Sequence, residues 1–236
     1  MKLVNMKFHL YSNMLYGFAV LMICFSADLA YAGEELEIFR DCEDCPEMVA
    51  LPDKGIAIGK YEVTFDEWDV CLADGGCNGY KPGEGKKSEA WGRGSRPATY
   101  ISWEDAQSYI QWLSNKTGKN YRLPSEDEWE YACYGEKETK YCGGNDIKAL
   151  GWFEENSGDQ THPVGEKKPN ERGIHDMSGN LWEWTSDCVQ GDCTIHKIRG
   201  GGWSYGAQLV QAKVSLRFLG TMRSYAYGFR LARSLQ

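Results

Sequence analysis

The chain has 236 residues, 42% hydrophobic and 25% charged, with a formal net charge of −8; that length and balance suit one globular domain with at most a small appendage. The acidic balance, without a Lys/Arg block, argues against nucleic acid as a partner. Nine Trp, fourteen Tyr and 27 Gly suit a loop-rich domain whose few elements are held by large aromatic side chains.

Residues 1–32 read as a signal peptide. Lys2 and Lys7 supply positive charge, an apolar core runs from about Met14 to Phe25, and Ala30-Tyr31-Ala32 is a small-x-small cleavage site. The apolar run is short for a membrane span, which needs roughly 20 residues, and no other stretch is long enough. A soluble product, secreted or periplasmic, is expected. Residues 33–45 form a lead-in and 46–234 the domain proper.

Eight cysteines remain after residue 32: Cys42, Cys45, Cys71, Cys77, Cys133, Cys142, Cys188 and Cys193. They fall in close sequential pairs, so four local disulfides are the economical prediction for an oxidising compartment: Cys42–Cys45, Cys71–Cys77, Cys133–Cys142 and Cys188–Cys193. Other pairings stay open on sequence alone. A zinc or redox role for Cys42-Glu43-Asp44-Cys45 is disfavoured. No second ligand pair completes a tetrahedral site, and two acids between the thiols raise rather than lower their pKa.

Gly55–Val63 suggests a β segment. Thr64 and Glu67 form a capping box that opens a helix burying Phe65, Trp68 and Leu72, ending at Asp74-Gly75-Gly76. Residues 78–98 show little periodicity and read as a solvated surface loop. Ser102 and Asp105 cap a second helix from Trp103 to about Asn115, with Ala106, Tyr109, Ile110 and Leu113 on one stripe. Ser125 and Glu128 open a third, shorter helix with Trp129 and Ala132 inward. His162–Gly165 is a candidate short strand, and Ile195–Arg199 another. Capped helices among short strand-like runs indicate an α+β fold.

The most informative stretch is 173–187. Trp182 and Trp184 alternate across Glu183, so an extended backbone puts both rings on one face and the carboxylate on the other. On spacing alone this is a tight turn and a strand carrying one solvated Glu. Asp176 and Glu183 also bracket a turn with oxygen chemistry suited to a hard cation.

Gly-Asn-Leu-Trp-Glu-Trp (179–184) resembles the signature of the formylglycine-generating-enzyme, or sulfatase-modifying-factor, family. Gly59–Thr64, Ile101–Ala106, Tyr121–Ala132, Arg199-Gly200-Gly201 and Gly228–Ala232 agree with it in order, over about residues 46–233. The resemblance implies a fold related to the C-type lectins. It also implies a structural Ca²⁺ held by the Asp176 and Glu183 side chains and the Gly179 and Leu181 carbonyls. The family's oxidases hold copper with two cysteines just after the Arg-Gly-Gly motif. Tyr205 and Val210 stand near those positions here, and no cysteine follows Cys193, so no copper and no formylglycine-generating activity are expected. Nor do His162, His175 and His196 have the spacing of an iron triad.

Two functions from different classes remain. The first is a non-catalytic binding or accessory module, with the segment Trp203–Tyr227 lining a groove for a protein, peptide or small-molecule ligand. The second is a periplasmic oxidoreductase using other groups. Trp182, Trp203, Tyr205, Arg217 and Arg230 are the candidate groove residues, and all but Trp203 are candidates for the enzyme as well.

Overall fold

The computed structural model describes residues 36–135 and 137–235. The expected signal peptide and the first three residues of the lead-in lie outside them. Among the described residues, two small sheets and four α-helices surround a core of large aromatic residues. One sheet has the strand order β1-β2-β3-β9-β4 and is antiparallel throughout; the other has the order β7-β6-β5-β8.

The first sheet is built from β1 (Ile38–Phe39), β2 (Met48–Leu51), β3 (Ile56–Gly59), β4 (Tyr121–Arg122) and β9 (Ala232–Ser234). Every residue of β2 and β3 is buried, so neither strand shows the alternation that marks a half-exposed one. The second sheet contains β5 (Trp182–Val189), β6 (Asp192–Arg199), β7 (Ser215–Leu219) and β8 (Tyr227–Gly228). β5 and β6 form a hairpin whose two turn residues, Gln190 (φ 51°) and Gly191 (φ 83°), are both left-handed, as the tight hairpin turn requires. The Cys188–Cys193 disulfide closes that hairpin next to the turn.

All three expected capping boxes are formed. They start α1 (Phe65–Ala73), α2 (Trp103–Thr117) and α3 (Glu126–Tyr134), with Thr64, Ser102 and Ser125 each accepting the N3 amide. α1 buries Phe65, Trp68 and Cys71, while Leu72 is only half-buried. On α2 the expected stripe is buried in full, and Gly118 ends the helix in the left-handed conformation. Trp68 stacks on Tyr109 at 5.6 Å, and Phe229 meets both rings edge-on. That cluster joins both long helices to the closing segment of the chain.

The four disulfides pair as the spacing predicts. Residues 162–165 form no strand; Val164 donates one isolated bond to the Ser95 carbonyl. A short helix, α4 (Ile147–Leu150), capped by Asp146, stands where no regular signal is legible. Among the described residues no helix is long and apolar enough to cross a membrane.

Each capping box is local and testable. Ser125→Ala removes the hydroxyl that accepts from the Glu128 amide and should destabilise the protein by about 1 kcal/mol. For a domain of this size that is a fall of about 2–4 °C in Tm, read by calorimetry.

Candidate functional site

The central stretch forms an irregular loop entering β5. Asp176 (φ 57°), Gly179 (φ 96°) and Asn180 (φ 58°) are all left-handed. A Cβ on Gly179 would lie 2.2 Å from the Trp152 carbonyl oxygen, so only glycine fits that backbone and that approach. Asn180 is held from two sides: its Oδ1 accepts from the His162 amide at 3.0 Å, and its Nδ2 donates to Glu62 at 2.7 Å. The other Glu62 oxygen accepts the Leu181 amide at 2.9 Å. Glu62 thus shapes the loop, yet as one acid in a motif it gives no sign of burial in the sequence.

Glu183 is not solvated. It is fully buried, and its carboxylate faces Arg230, which is equally buried. Arg230 donates to it through Nη2 at 2.6 Å and Nε at 2.7 Å, and Trp129 Nε1 adds a third bond at 2.7 Å. The remaining Arg230 donors go to the Gly59 and His175 carbonyls. Burial works against the Arg230 charge, but Glu183, then Glu62 and Asp176, more than offset it, so its pKa lies above the usual value. Asp176 is buried as well. Its Oδ2 accepts the Gly165 amide at 2.7 Å, and its Oδ1 has no hydrogen-bond partner. Burial pushes Asp176 up to about 6 despite the Gly165 bond, and pushes Glu62 well above the carboxylate range, with the charges of Asp176 and Glu183 adding to it.

Three carboxylates therefore share one buried neighbourhood with one guanidinium. If all ionise, two negative charges remain uncompensated, and uncompensated buried charge is expensive. The unpartnered Asp176 oxygen and this surplus fit a hard cation. Glu183 fits less well. Three hydrogen bonds leave its carboxylate roughly one free lone pair, on Oε1, so it has room for a single metal bond. Among the described residues no three His, Cys, Asp or Glu side chains group as a metal cluster, so a cation here would need backbone carbonyls.

The five candidate groove residues do not share one groove. Trp182 is fully buried and meets Tyr205 edge-on at 5.5 Å. Trp203, almost buried, contacts Trp91 at 5.1 Å and Tyr225 at 5.3 Å, and the Lys87 ammonium lies 5.8 Å above its ring. Tyr225 is exposed; Trp91 and Tyr205 are half-buried. Arg230 lines no surface, because it is spent on Glu183 in the core. Arg217 is exposed on β7, beside Lys197 and Glu126, in a separate recess. The aromatic rings that reach the surface here are Tyr205, Trp91 and Tyr225, the last two around the buried Trp203; Trp91 and Tyr225 carry no sequence signal that singles them out.

The three histidines do not converge. His162 stacks on Trp152, His175 packs on Tyr61, and His196 stacks on Trp103. All eight cysteines of the described residues are disulfide-bonded. Val210 is fully buried, and Tyr205 packs against the same small cluster of Tyr141, Ile147, Leu150 and Phe153.

A family model for the sulfatase-modifying factor enzyme 1-like domain matches residues 29–235. The chain is 28% identical over 234 aligned residues to "Chaperone protein LppX" of Paenibacillus barcinonensis, covering 75% of this chain and 79% of that protein. It is 33% identical over 155 residues to the bovine (Bos taurus) inactive Cα-formylglycine-generating enzyme 2, covering 58% of this chain and 50% of that one. The structure of PvdO from Pseudomonas aeruginosa superposes with a TM-score of 0.71 at 28% identity, covering 84% of this chain and 98% of PvdO. The chain spans only 36% of the formylglycine-generating enzyme of Streptomyces coelicolor that it also matches.

The buried pair predicts a non-additive mutant cycle. Arg230→Met leaves the Glu183 carboxylate buried and unpaired and should cost about 3–5 kcal/mol. Arg230→Met combined with Glu183→Gln should recover part of that, as measured by urea unfolding.

Asp176 sets a pH dependence in the absence of divalent cations. Its folded pKa, about 6, is above its ordinary 3.8, so the native state binds the extra proton. Stability from this group is present below about pH 4 and is lost as pH rises through 6, on the order of 1–3 kcal/mol. In EDTA, Tm should fall between pH 5 and about 7.5, and Asp176→Asn should flatten that fall.

Proposed function

From the premise that the chain belongs to the sulfatase-modifying factor enzyme 1-like domain family, we propose that it is an exported, non-catalytic binding or accessory module. The observation that carries this reading lies near the two positions where the resemblance puts the oxidases' copper cysteines. Tyr205 and Val210 stand there, packed into the fold, and every cysteine of the described residues is consumed in a disulfide. Copper(I) in this family is held by thiolates, and a phenol and an isopropyl group do not replace them. The match to a relative named as inactive and to one named as a chaperone is in keeping with this. Four disulfides suit an oxidising compartment outside the cytoplasm.

The ligand surface in this reading is the aromatic patch of Trp91, Trp203, Tyr205 and Tyr225. Tyr and Trp supply large, stiff contact area with a polar edge, which favours recognition of a protein, peptide or small molecule. A structural Ca²⁺ belongs to the same proposal. It would be held by Asp176 with the Gly179 and Leu181 carbonyls, and through one oxygen at most by Glu183. There it would neutralise the surplus charge around Glu62 and Asp176 and fix the loop that enters β5.

Oxygen consumption with a cysteine-containing peptide, with and without copper, tests the reading. No turnover above background is expected; turnover would establish an oxidoreductase working through other groups and overturn the proposal. Calcium titration of the EDTA-treated protein tests the cation. Saturating Ca²⁺ at about 100 Kd should add about 2.7 kcal/mol, and Asp176→Asn should abolish that gain.

A further inference from the structure

Residues 78–98 read as a solvated loop, but they fold back over α1. The chain turns through Gly83 and Gly85, forms a short 3-10 turn at Lys87–Trp91, and returns along α1. Arg93 holds it there. Its guanidinium pairs with Asp69 through Nη2 at 2.5 Å and Nε at 3.2 Å, donates to the Pro82 carbonyl at 2.8 Å, and lies 4.2 Å from the centre of the Phe65 ring. One face of the 3-10 turn carries Lys87 and Trp91 to Trp203. The other face encloses a pocket of about 270 Å³ between the loop and α1.

The pocket has three chemical features. Its floor is apolar, formed by Phe65 and Leu72. Its wall carries the Ser88 hydroxyl, which is 99% buried (relative exposure 1%) and has no hydrogen-bond partner. A buried hydroxyl left unpaired is costly, so this one, on a residue that lines the pocket beside Gly83, is an available donor or acceptor. Its rim is acidic. Arg93 is committed to Asp69, and Lys81 reaches Glu84 only at 4.0 Å with both side chains about two-thirds exposed, a contact worth little. Glu89 has no cationic partner within ion-pair distance among the described residues; its Oε2 accepts only the Gly85 amide.

An apolar floor, a buried hydroxyl and an uncompensated carboxylate together suit one ligand type. We propose that this pocket binds a small primary ammonium on an apolar body, with the body over Phe65 and Leu72 and the ammonium shared between the Ser88 hydroxyl and the Glu89 carboxylate. An anion meets the acidic rim. A neutral alcohol leaves Glu89 uncompensated. The volume is near the lower end for small-molecule sites and suits an alkylamine or a single lysine side chain. This inference does not depend on the accessory-module reading or on calcium, because it uses none of those residues.

The test uses the whole exported protein, with hexylamine as probe and hexanol and hexanoate as its neutral and anionic matches. Binding is followed by amide chemical shifts and by calorimetry. Hexylamine should perturb the amides of residues 83–93 saturably and bind at least tenfold more tightly than either match. Glu89→Gln, which keeps an acceptor for the Gly85 amide, should weaken the amine about tenfold and leave hexanol unchanged. Ser88→Ala should weaken the amine several-fold while leaving Tm unchanged or raised, since it removes an unpaired buried group. Competition by Nα-acetyl-lysine N-methylamide would assign the amine to a protein side chain, and its failure to a free small amine. Equal binding of hexanol and hexylamine overturns the proposal. So does a Ser88→Ala protein that is more stable but binds the amine as before.

Discussion

The Glu183–Arg230 contact is the constraint from which the architecture follows. The closing segment leaves the second sheet at β8 and joins the first at β9, and Arg230 lies at the crossing between them. Its guanidinium reaches Glu183 on β5, the Gly59 carbonyl at the end of β3, and the His175 carbonyl in the central loop. One side chain therefore bonds both sheets and the loop between them. Such a pair contributes modestly to net stability, because desolvating two charges offsets much of their attraction. Its geometric demand is strict, however. A fully buried guanidinium must place all its donors at once, which fixes where β3, β5 and the loop meet.

That arrangement has an electrostatic consequence. Glu62 is needed at the same junction to hold the Leu181 amide and the Asn180 side chain, and Asp176 to hold the Gly165 amide. Each bond shapes the loop, but each brings a carboxylate into a volume with only one cation. The protein then has two ways to relieve the excess: protons, for which the raised pKa values of Asp176 and Glu62 are the sign, or a divalent ion. Loop shape and pH response are thus two expressions of one charge imbalance, and the proposed cation would be a third.

Much of the fold was legible because its signals are local. The Thr64, Ser102 and Ser125 capping boxes and the α2 stripe depend on residues three or four apart, and the four disulfides on near neighbours. β2 and β3 are different. They are buried on both faces, so the period-two pattern is erased, and β1 and β4 are two residues long. The site was legible in type and not in contact. Glu183 between two tryptophans reads as a solvated residue on the outer face of a strand, and Arg230 as a groove residue. Nothing local says that they face each other across 47 residues. Arg230 lines no groove because both faces of its segment are buried. Trp91 escaped notice for the converse reason: it lies in a segment without periodicity, and its partner Trp203 is far away in the chain.

The surroundings of Tyr205 and Val210, which stand near the positions where the resemblance puts the oxidases' cysteines, bear on how such a scaffold could change its use. Tyr205 and Val210 are not gaps in the fold. Val210 fills a small cluster with Tyr141, Ile147, Leu150 and Phe153, and Tyr205 closes against that cluster and against Trp182. The Glu183–Arg230 junction and the Trp68–Tyr109–Phe229 stack that hold the domain contain neither residue. Chemistry at the surface and cohesion of the core are therefore separable here. A change of side chain at either position leaves untouched what positions the loops. In the proposed reading, the soft ligands of the family's oxidases give way here to contact area, the Tyr205 phenol beside Trp91, Trp203 and Tyr225. A fold whose stability lies elsewhere is free to exchange the first for the second.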